Sequence, residues 1–311
     1  MTTTRAVVAT TYGGLDALEL QDIPTASPGE GQILVDVKAA GVNPIDWKLY
    51  SGAFGTDPNN LPMRLGLEVS GTVAAVGPGV EGLKPGDDVI AAGQIGGYAD
   101  QIVAAADQVF KKPARLSFPE AAGFLLTGQT AVHLLEATSV TEGDTVLIHG
   151  AAGGVGLLAI QLAKARGATV IATASAARHD QLRGYGAIPV EYGPGLQERV
   201  SAIGSVDAAL DLVGTDEAAD VSLALVADKD RIATIAGFGR AASDGFKALG
   251  GGPGADPGTE VRLAARPELI RLAGNGDLEV TVDRTFSLTE ARQAHEYGQT
   301  GHARGKIVLL P

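Results

Sequence analysis

Residues 146–156 read VLIHGAAGGVG. The apolar run Val146-Leu147-Ile148 ends at a cluster of glycines, and a helix-forming run follows from Gly154 to Arg166. Within the turn, Ala151, Gly153 and Gly156 keep the spacing small-x-Gly-x-x-Gly that connects a strand to a helix in dinucleotide-binding folds, with alanine in the first place. A small first residue permits the tight turn. Gly153 lets backbone approach a pyrophosphate, and Gly156 lets helix lie close to strand. Ala152, Gly153, Gly154 and Val155 then offer the phosphates the N–H groups and the positive dipole end of a helix N-terminus. A glycine-rich turn with no ligand has the same composition. The agreement of strand, turn, helix and following strand favours the dinucleotide.

Working outward, strands and helices alternate. Thr145–His149, Thr169–Ala174, Val206–Leu212 and Arg231–Ala236 read as strands, with His179–Gly184 and Glu217–Leu225 as helices. This alternation predicts βαβ units and a doubly wound parallel sheet. Residues 239–258, GRAASDGFKALGGGPGADPG, break the pattern and read as a mobile surface loop. Before residue 117 the chain has short β-branched runs between proline and glycine turns, which predicts a partly closed antiparallel barrel. SFPEAAGFLLTGQTAVHLLEA reads as one helix with Ser117 and Glu120 as a capping box. The last segment, from TFSLTEARQAHEYG to IVLLP, reads as strand, helix, strand returning to the first domain. The fold class is therefore α/β, with domains at 1–121 plus 280–311 and at 122–279.

A NAD site carries an acidic residue about 20 positions beyond the motif, to hold the ribose 2′-hydroxyl. Here the strand TVIATA ends at Ser175, and Arg178 follows. Ser175 can donate to a 2′-phosphate and Arg178 can pair with it, so the reading is NADPH. Otherwise both residues simply begin a solvated helix.

Composition narrows the rest. The 311 residues carry a formal net charge of −12, which argues against nucleic acid as a partner. There is no cysteine, so disulfides, thiolate catalysis and cysteine-ligated metals are excluded, and a reducing cytoplasm is the expected location. The N-terminus lacks the apolar core of a signal peptide, and no apolar run suits a membrane span. The five histidines, at 133, 149, 179, 295 and 302, form no pair at ligand spacing with a carboxylate third, so no metal is expected.

VLIHGAAGGVG, ATASAARHDQLRGYGA and GHARGKIVL resemble the medium-chain dehydrogenase/reductase superfamily, and within it the zinc-free quinone oxidoreductase branch that includes zeta-crystallin. YGGLDALEL, PGEGQILVDVKAAGVNPIDWK, LGLEVSGTVAAVGPGV and LKPGDDVIAAG agree. The resemblance implies a GroES-like barrel, a Rossmann domain, NADPH in the cleft between them and a homodimer. It implies hydride transfer to a small-molecule quinone or enone. The lobe that holds a structural zinc in other members is shortened here to AAGQIGGYAD.

The same resemblance implies the site residues. Asn43, Ile45 and Thr127 belong at the nicotinamide end, where Asn43 bonds the carboxamide, the substrate or nearby backbone. Asp46 pins the loop. Many members carry tyrosine two residues after the aspartate, whereas this chain has Lys48, between Trp47 and Leu49. Lys48 meets the cofactor or donates to a carbonyl oxygen, or is a surface lysine. Tyr50 is a proton donor or a flat wall. Tyr192 lies on the adenosine side; Val213, Gly214, Ala236, Gly237 and Phe238 lie on the nicotinamide side. Arg304 and Lys306 lie near the cleft or are solvent-exposed. His149 packs against the cofactor. TDPNNLPMR and residues 239–258 wall the substrate pocket. Two rival readings share this sequence: an enoyl reductase of specialised metabolism, and an NADPH-binding isomerase, cyclase or structural protein without net redox turnover.

Overall fold

The computed structural model describes residues 3–93, 96–252 and 254–311. Gln94 and Ile95 of the shortened lobe, and Pro253 of the 239–258 segment, lie outside the described residues. The chain opens with β1 (Thr3–Ala9), β2 (Leu18–Pro24), β3 (Gln32–Val42), α1 (Pro44–Tyr50), β4 (Met63–Arg64), β5 (Glu68–Val76), β6 (Asp88–Ala92), β7 (Gln101–Ala105) and β8 (Val109–Lys111). It continues through α2 (Phe118–Ala121), α3 (Leu125–Ala137), β9 (Thr145–His149), α4 (Gly154–Ala165), β10 (Thr169–Thr173), α5 (His179–Gly184), β11 (Ile188–Val190) and α6 (Leu196–Ser201). Then come β12 (Ala208–Asp211), α7 (Asp216–Leu225), β13 (Ile232–Thr234), α8 (Phe238–Asp244), β14 (Lys247–Ala248), α9 (Thr259–Asn275), β15 (Val282–Ser287), α10 (Ala291–Gln299) and β16 (Lys306–Leu310). The chain divides into two compact units, 1–126 with 270–311, and 127–269.

The first unit is β-rich. One sheet runs β2-β1-β4, and the other runs β15-β16-β3-β5-β6-β8 with β7 also on β3. Every pairing is antiparallel except β15 with β16. The C-terminal strand joins by setting Val308 opposite Gly41 on β3. Inward positions of the strands, among them Ile33, Val35, Val69, Val89 and Ile102, share one core with Tyr50, Tyr98 and Leu309. Alternation of apolar and polar side chains along β3 and β5 directs those residues inward.

The second unit is a six-stranded parallel sheet in the order β11-β10-β9-β12-β13-β14. That is the doubly wound order, with its switch point between β9 and β12, where such sheets hold ligands beyond the strand C-termini. Val146, Leu147 and Ile148 are fully buried at its centre, as expected for a strand covered on both faces.

Two sequence expectations are corrected. The run 117–137 is two helices: the capping box stands, with Ser117 N–H donating to Glu120 Oε2 at 2.7 Å, but α2 ends before Gly123 and α3 begins at Leu125. The 239–258 segment is no loop over its first part: α8 and β14 extend the sheet, and Leu249 bridges Asp256. Phe246 and Ala241 are buried in the core of this unit, and that burial holds a glycine-rich segment in place. Among the described residues no helix is long and apolar enough to cross a membrane.

Candidate active site

The glycine turn is built from close contacts. Gly150, after β9, has φ +72°, and a Cβ there would stand 2.5 Å from Val213 Cγ1. Ala151 N–H donates to Thr173 O of the neighbouring strand at 3.1 Å, which fixes the turn to β10. A Cβ on Gly156 would lie 2.5–2.6 Å from the Cα, C and O of Ala151, so only glycine lets α4 start this close to the strand end. Gly153 differs: its φ of −82° suits any residue, and a Cβ would meet nothing nearer than Gly150 O at 3.6 Å. No intramolecular packing requires glycine at 153. The free space beside it, at the N-cap of a 12-residue helix whose first N–H groups have no intrahelical carbonyl, is a cradle for an anion.

Beyond β10, Ser175 and Arg178 are half-buried and joined by Arg178 N–H to Ser175 O at 2.9 Å. Tyr192, after β11, is 55% exposed. At the ends of β12 and β13 stands a device that the sequence reading passed over. Asp211, buried, accepts from the N–H groups of Val213 and Gly214 at 3.0 and 2.8 Å through Oδ1. Its Oδ2 accepts from the Thr234 hydroxyl at 2.7 Å, whose oxygen in turn accepts from Ala236 and Gly237 N–H at 3.1 and 2.8 Å. One carboxylate thus shapes both strand ends, and leaves Val213 47% exposed above them. Gly214, at φ +73°, has no room for a Cβ against Ala236 and Gly237. The available signal was a lone acid inside the apolar run AALDLVG. His149 is interior: its Nε2 faces Ser222 Oγ at 3.2 Å, so it packs within the unit rather than at its surface. Thr127 is buried at the start of this unit and Phe238 half-buried.

In the first unit, Asn43 caps α1. Its N–H donates to Asp46 Oδ2 at 2.8 Å, and its side chain donates to Gly41 O at 3.3 Å and Glu68 Oε1 at 3.1 Å. Lys306 is buried, not solvent-exposed. Its ammonium donates to Asn43 Oδ1 at 2.5 Å, Glu68 Oε1 at 2.9 Å and Val42 O at 3.1 Å. Those three acceptors use all three ammonium protons, so Lys306 sets the Asn43 loop and is no cofactor contact through its charge. Glu68, which sequence reasoning missed, completes the cluster by accepting from Leu126 N–H at 3.0 Å. Tyr50 is also corrected: it is 1% exposed with its hydroxyl 3.0 Å from His295 Nδ1, and it offers neither a proton nor a wall to a ligand. Asp46 pins the loop as expected. Ile45 and Lys48 are half-buried on α1, and burial lowers the Lys48 ammonium below its ordinary value. Arg304 is exposed.

Four buried groups set the response to mild acid, and among them burial holds the His133 imidazole below its ordinary value. Burial pushes His149 and His295 down to about 4 from 6.5. Burial pushes Asp46 up to about 6 from 3.8. Each histidine, depressed in the fold, costs stability as pH falls from 6.5 toward 4; Asp46, raised in the fold, adds stability as pH falls from 6 toward 3.8. His133 loses in the same direction, so the histidine losses outweigh the Asp46 gain and leave a net fall of at least about 1.4 kcal/mol per pH unit between roughly pH 6 and 4. Urea unfolding free energies across that range should show this slope, and His295→Gln should lower it by about 1.4 kcal/mol per pH unit.

Residues 29–114 match the family described as Alcohol dehydrogenase GroES-like domain, and residues 190–309 match Zinc-binding dehydrogenase. A quinone oxidoreductase of Pseudomonas aeruginosa is 33% identical, over 96% of this chain and 97% of its own. The chain belongs to the zinc-free quinone oxidoreductase branch of the medium-chain dehydrogenase/reductase superfamily. The solved quinone oxidoreductase of Coxiella burnetii is 34% identical and superposes with a TM-score of 0.84 over 100% of both chains. That of Escherichia coli, solved in complex with NADPH, is 30% identical with a TM-score of 0.86, covering 99% of this chain and 100% of that one. The chain spans about half the length of other curated quinone oxidoreductases it matches, 52% in one case and 50% in another. As for the metal in the second family description, among the described residues no three His, Cys, Asp or Glu side chains gather in a way that could hold an ion.

Proposed function

We propose that this quinone oxidoreductase relative is an NADPH-dependent, zinc-independent reductase that passes a hydride to a small-molecule quinone or α,β-unsaturated carbonyl compound. The observation that carries the reading is the glycine turn, where nothing in the protein fills the space beside Gly153. The NADPH complex of the Escherichia coli relative supports the same cofactor.

NADPH supplies the hydride when bound. The residues of this chain hold and orient. Ala152, Gly153, Gly154 and Val155 present backbone N–H groups and a helix dipole to the pyrophosphate. Ser175 and Arg178 receive the 2′-phosphate, and Tyr192 offers an exposed ring to the adenosine. The strand ends that Asp211 and Thr234 shape, at Val213, Gly214, Ala236, Gly237 and Phe238, bind the carboxamide side through backbone groups. Asn43, Ile45, Lys48 and Thr127 face the nicotinamide end, where Lys48 is the donor to a developing oxygen charge on the acceptor. Arg304, exposed at the surface, is a further cofactor contact in this reading. Protonation of the reduced product comes from solvent, since Tyr50 is sealed in the core. A homodimer and a cytoplasmic location belong to the same reading.

The test follows the nicotinamide absorbance with 1,4-benzoquinone, 9,10-phenanthrenequinone and several enones, each with NADPH and with NADH. NADPH-selective oxidation is expected. Arg178→Ala should remove a charge-assisted hydrogen bond worth about 1.5–3 kcal/mol and raise the NADPH KM roughly ten- to hundredfold, with NADH nearly unchanged. Tight NADPH binding with no oxidation by any acceptor would sink the reductase reading.

A further inference from the structure

The first unit contains a buried chain of four titratable side chains, of which Tyr98 and His295 have no part in the function proposed above. His295, on α10, is fully buried. Its Nδ1 lies 3.0 Å from the Tyr50 hydroxyl and its Nε2 lies 3.1 Å from the Tyr98 hydroxyl. Tyr98 O–H lies 2.8 Å from Asp46 Oδ2, which also accepts from Asn43 N–H at 2.8 Å.

Hydrogen-bond counting fixes the direction of every link. The Asp46 carboxylate accepts only, so the single Tyr98 proton points to it. The Tyr98 oxygen must then accept from His295 Nε2–H. His295 is neutral, which leaves a lone pair on Nδ1 to accept the Tyr50 proton. The donors run Tyr50 to His295 to Tyr98 and end on Asp46 Oδ2, to which the Asn43 N–H also donates.

The same helix grips α1 from a second direction. The Trp47 ring meets the His295 ring edge-on at 5.7 Å, and the Tyr50 ring stacks on it at 5.7 Å. One turn on, Gly298 has no Cβ, and one there would stand 3.0 Å from Trp47 Cζ3. With seven residues, α1 is too short to hold its shape by its own hydrogen bonds and must be fixed by packing.

We propose that His295 is a positioning residue for the reaction: through Tyr98 and Asp46 at one nitrogen, and Tyr50 at the other, it holds the Asn43–Lys48 turn in its working geometry. The proposal rests on the reading that this turn faces the nicotinamide end. His295 acts only through its neighbours.

Trp47 is the chain's single tryptophan and sits in the element concerned, so its fluorescence reports on α1 without reference to turnover. Acrylamide quenching of Trp47, and kcat and KM for NADPH with a quinone, would be measured for wild type, His295→Leu, His295→Gln and Tyr98→Phe. Gln can supply a donor and an acceptor; Leu supplies neither. In His295→Leu, Trp47 quenching should rise about threefold, and kcat should fall about tenfold or more with the NADPH KM within roughly twofold. Tyr98→Phe should move both readouts the same way, and His295→Gln should stay close to wild type. If His295→Leu does not fold, Tyr98→Phe and His295→Gln decide. Wild-type quenching or wild-type kcat in a folded His295→Leu or Tyr98→Phe overturns the proposal. So does a His295→Gln variant as damaged as His295→Leu, which would reduce the role to packing. A wild-type protein that oxidises no NADPH sinks the functional reading instead, and the quenching series still shows whether His295 holds α1.

Discussion

Lys306→Met should cost about 3–5 kcal/mol of folding stability, because it leaves the Glu68 carboxylate buried without its counter-charge. Both side chains are shielded from water, at 5% and 0% exposed. Glu68 would keep only the Asn43 amide and Leu126 N–H, two neutral donors, where it now has an ammonium at 2.9 Å as well. The Asn43 loop should loosen as well, since Lys306 is also the donor that fixes the Asn43 amide oxygen. Glu68→Gln should be milder, because the ammonium retains Val42 O and Asn43 Oδ1.

The diagnostic variant is the pair. Glu68→Gln with Lys306→Met removes both charges, so the double variant should be markedly more stable than the sum of the single losses implies, with a coupling of about 2 kcal/mol or more. Urea denaturation of the three variants measures it. A cost below about 1 kcal/mol for Lys306→Met would place the pair with ordinary surface ion pairs and refute the buried cluster.

Why the sequence hides this cluster is instructive. Glu68 and Lys306 are 238 positions apart, and no local pattern links them. Lys306 opens a strand that is buried along most of its length, so the rule that a lysine at a strand start is solvated fails there. The nucleotide turn was readable because its physics is local: a strand, a close turn and a helix within eleven residues. The parallel order followed from alternation for the same reason. Asp211 and Thr234 escaped notice because their partners are backbone groups on two different strand ends. The 239–258 segment misled because composition reports small residues, whereas one buried aromatic, Phe246, decides whether such a segment stays put.

Gly153→Val should abolish measurable NADPH binding while leaving the fold intact, and Gly156→Ala should do the reverse. At 153 the backbone is extended and the nearest atom to a new Cβ is 3.6 Å away, so the cost is mainly that of a poorer helix cap, about 1 kcal/mol. The added side chain occupies the cradle that would take the pyrophosphate. Losing even one or two charge-assisted hydrogen bonds there, at about 1.5–3 kcal/mol each, lowers affinity roughly a hundredfold or more. At 156 the new methyl meets three backbone atoms of Ala151 at 2.5–2.6 Å. Alanine gains about 1 kcal/mol over glycine in helix propensity, but the forced shift of strand end against helix costs about 1–3 kcal/mol or more, and it wins. Urea titrations with and without NADPH separate the two effects in one experiment. At a hundred times its Kd the cofactor adds about 2.7 kcal/mol to any variant that still binds it. The wild type should show that increment, and Gly156→Ala should show it from a lower baseline if its turn survives. Gly153→Val should start slightly below the wild-type midpoint and not move. A Gly153→Val protein that NADPH still stabilises would mean that the open space at the helix N-terminus is not where the phosphates bind.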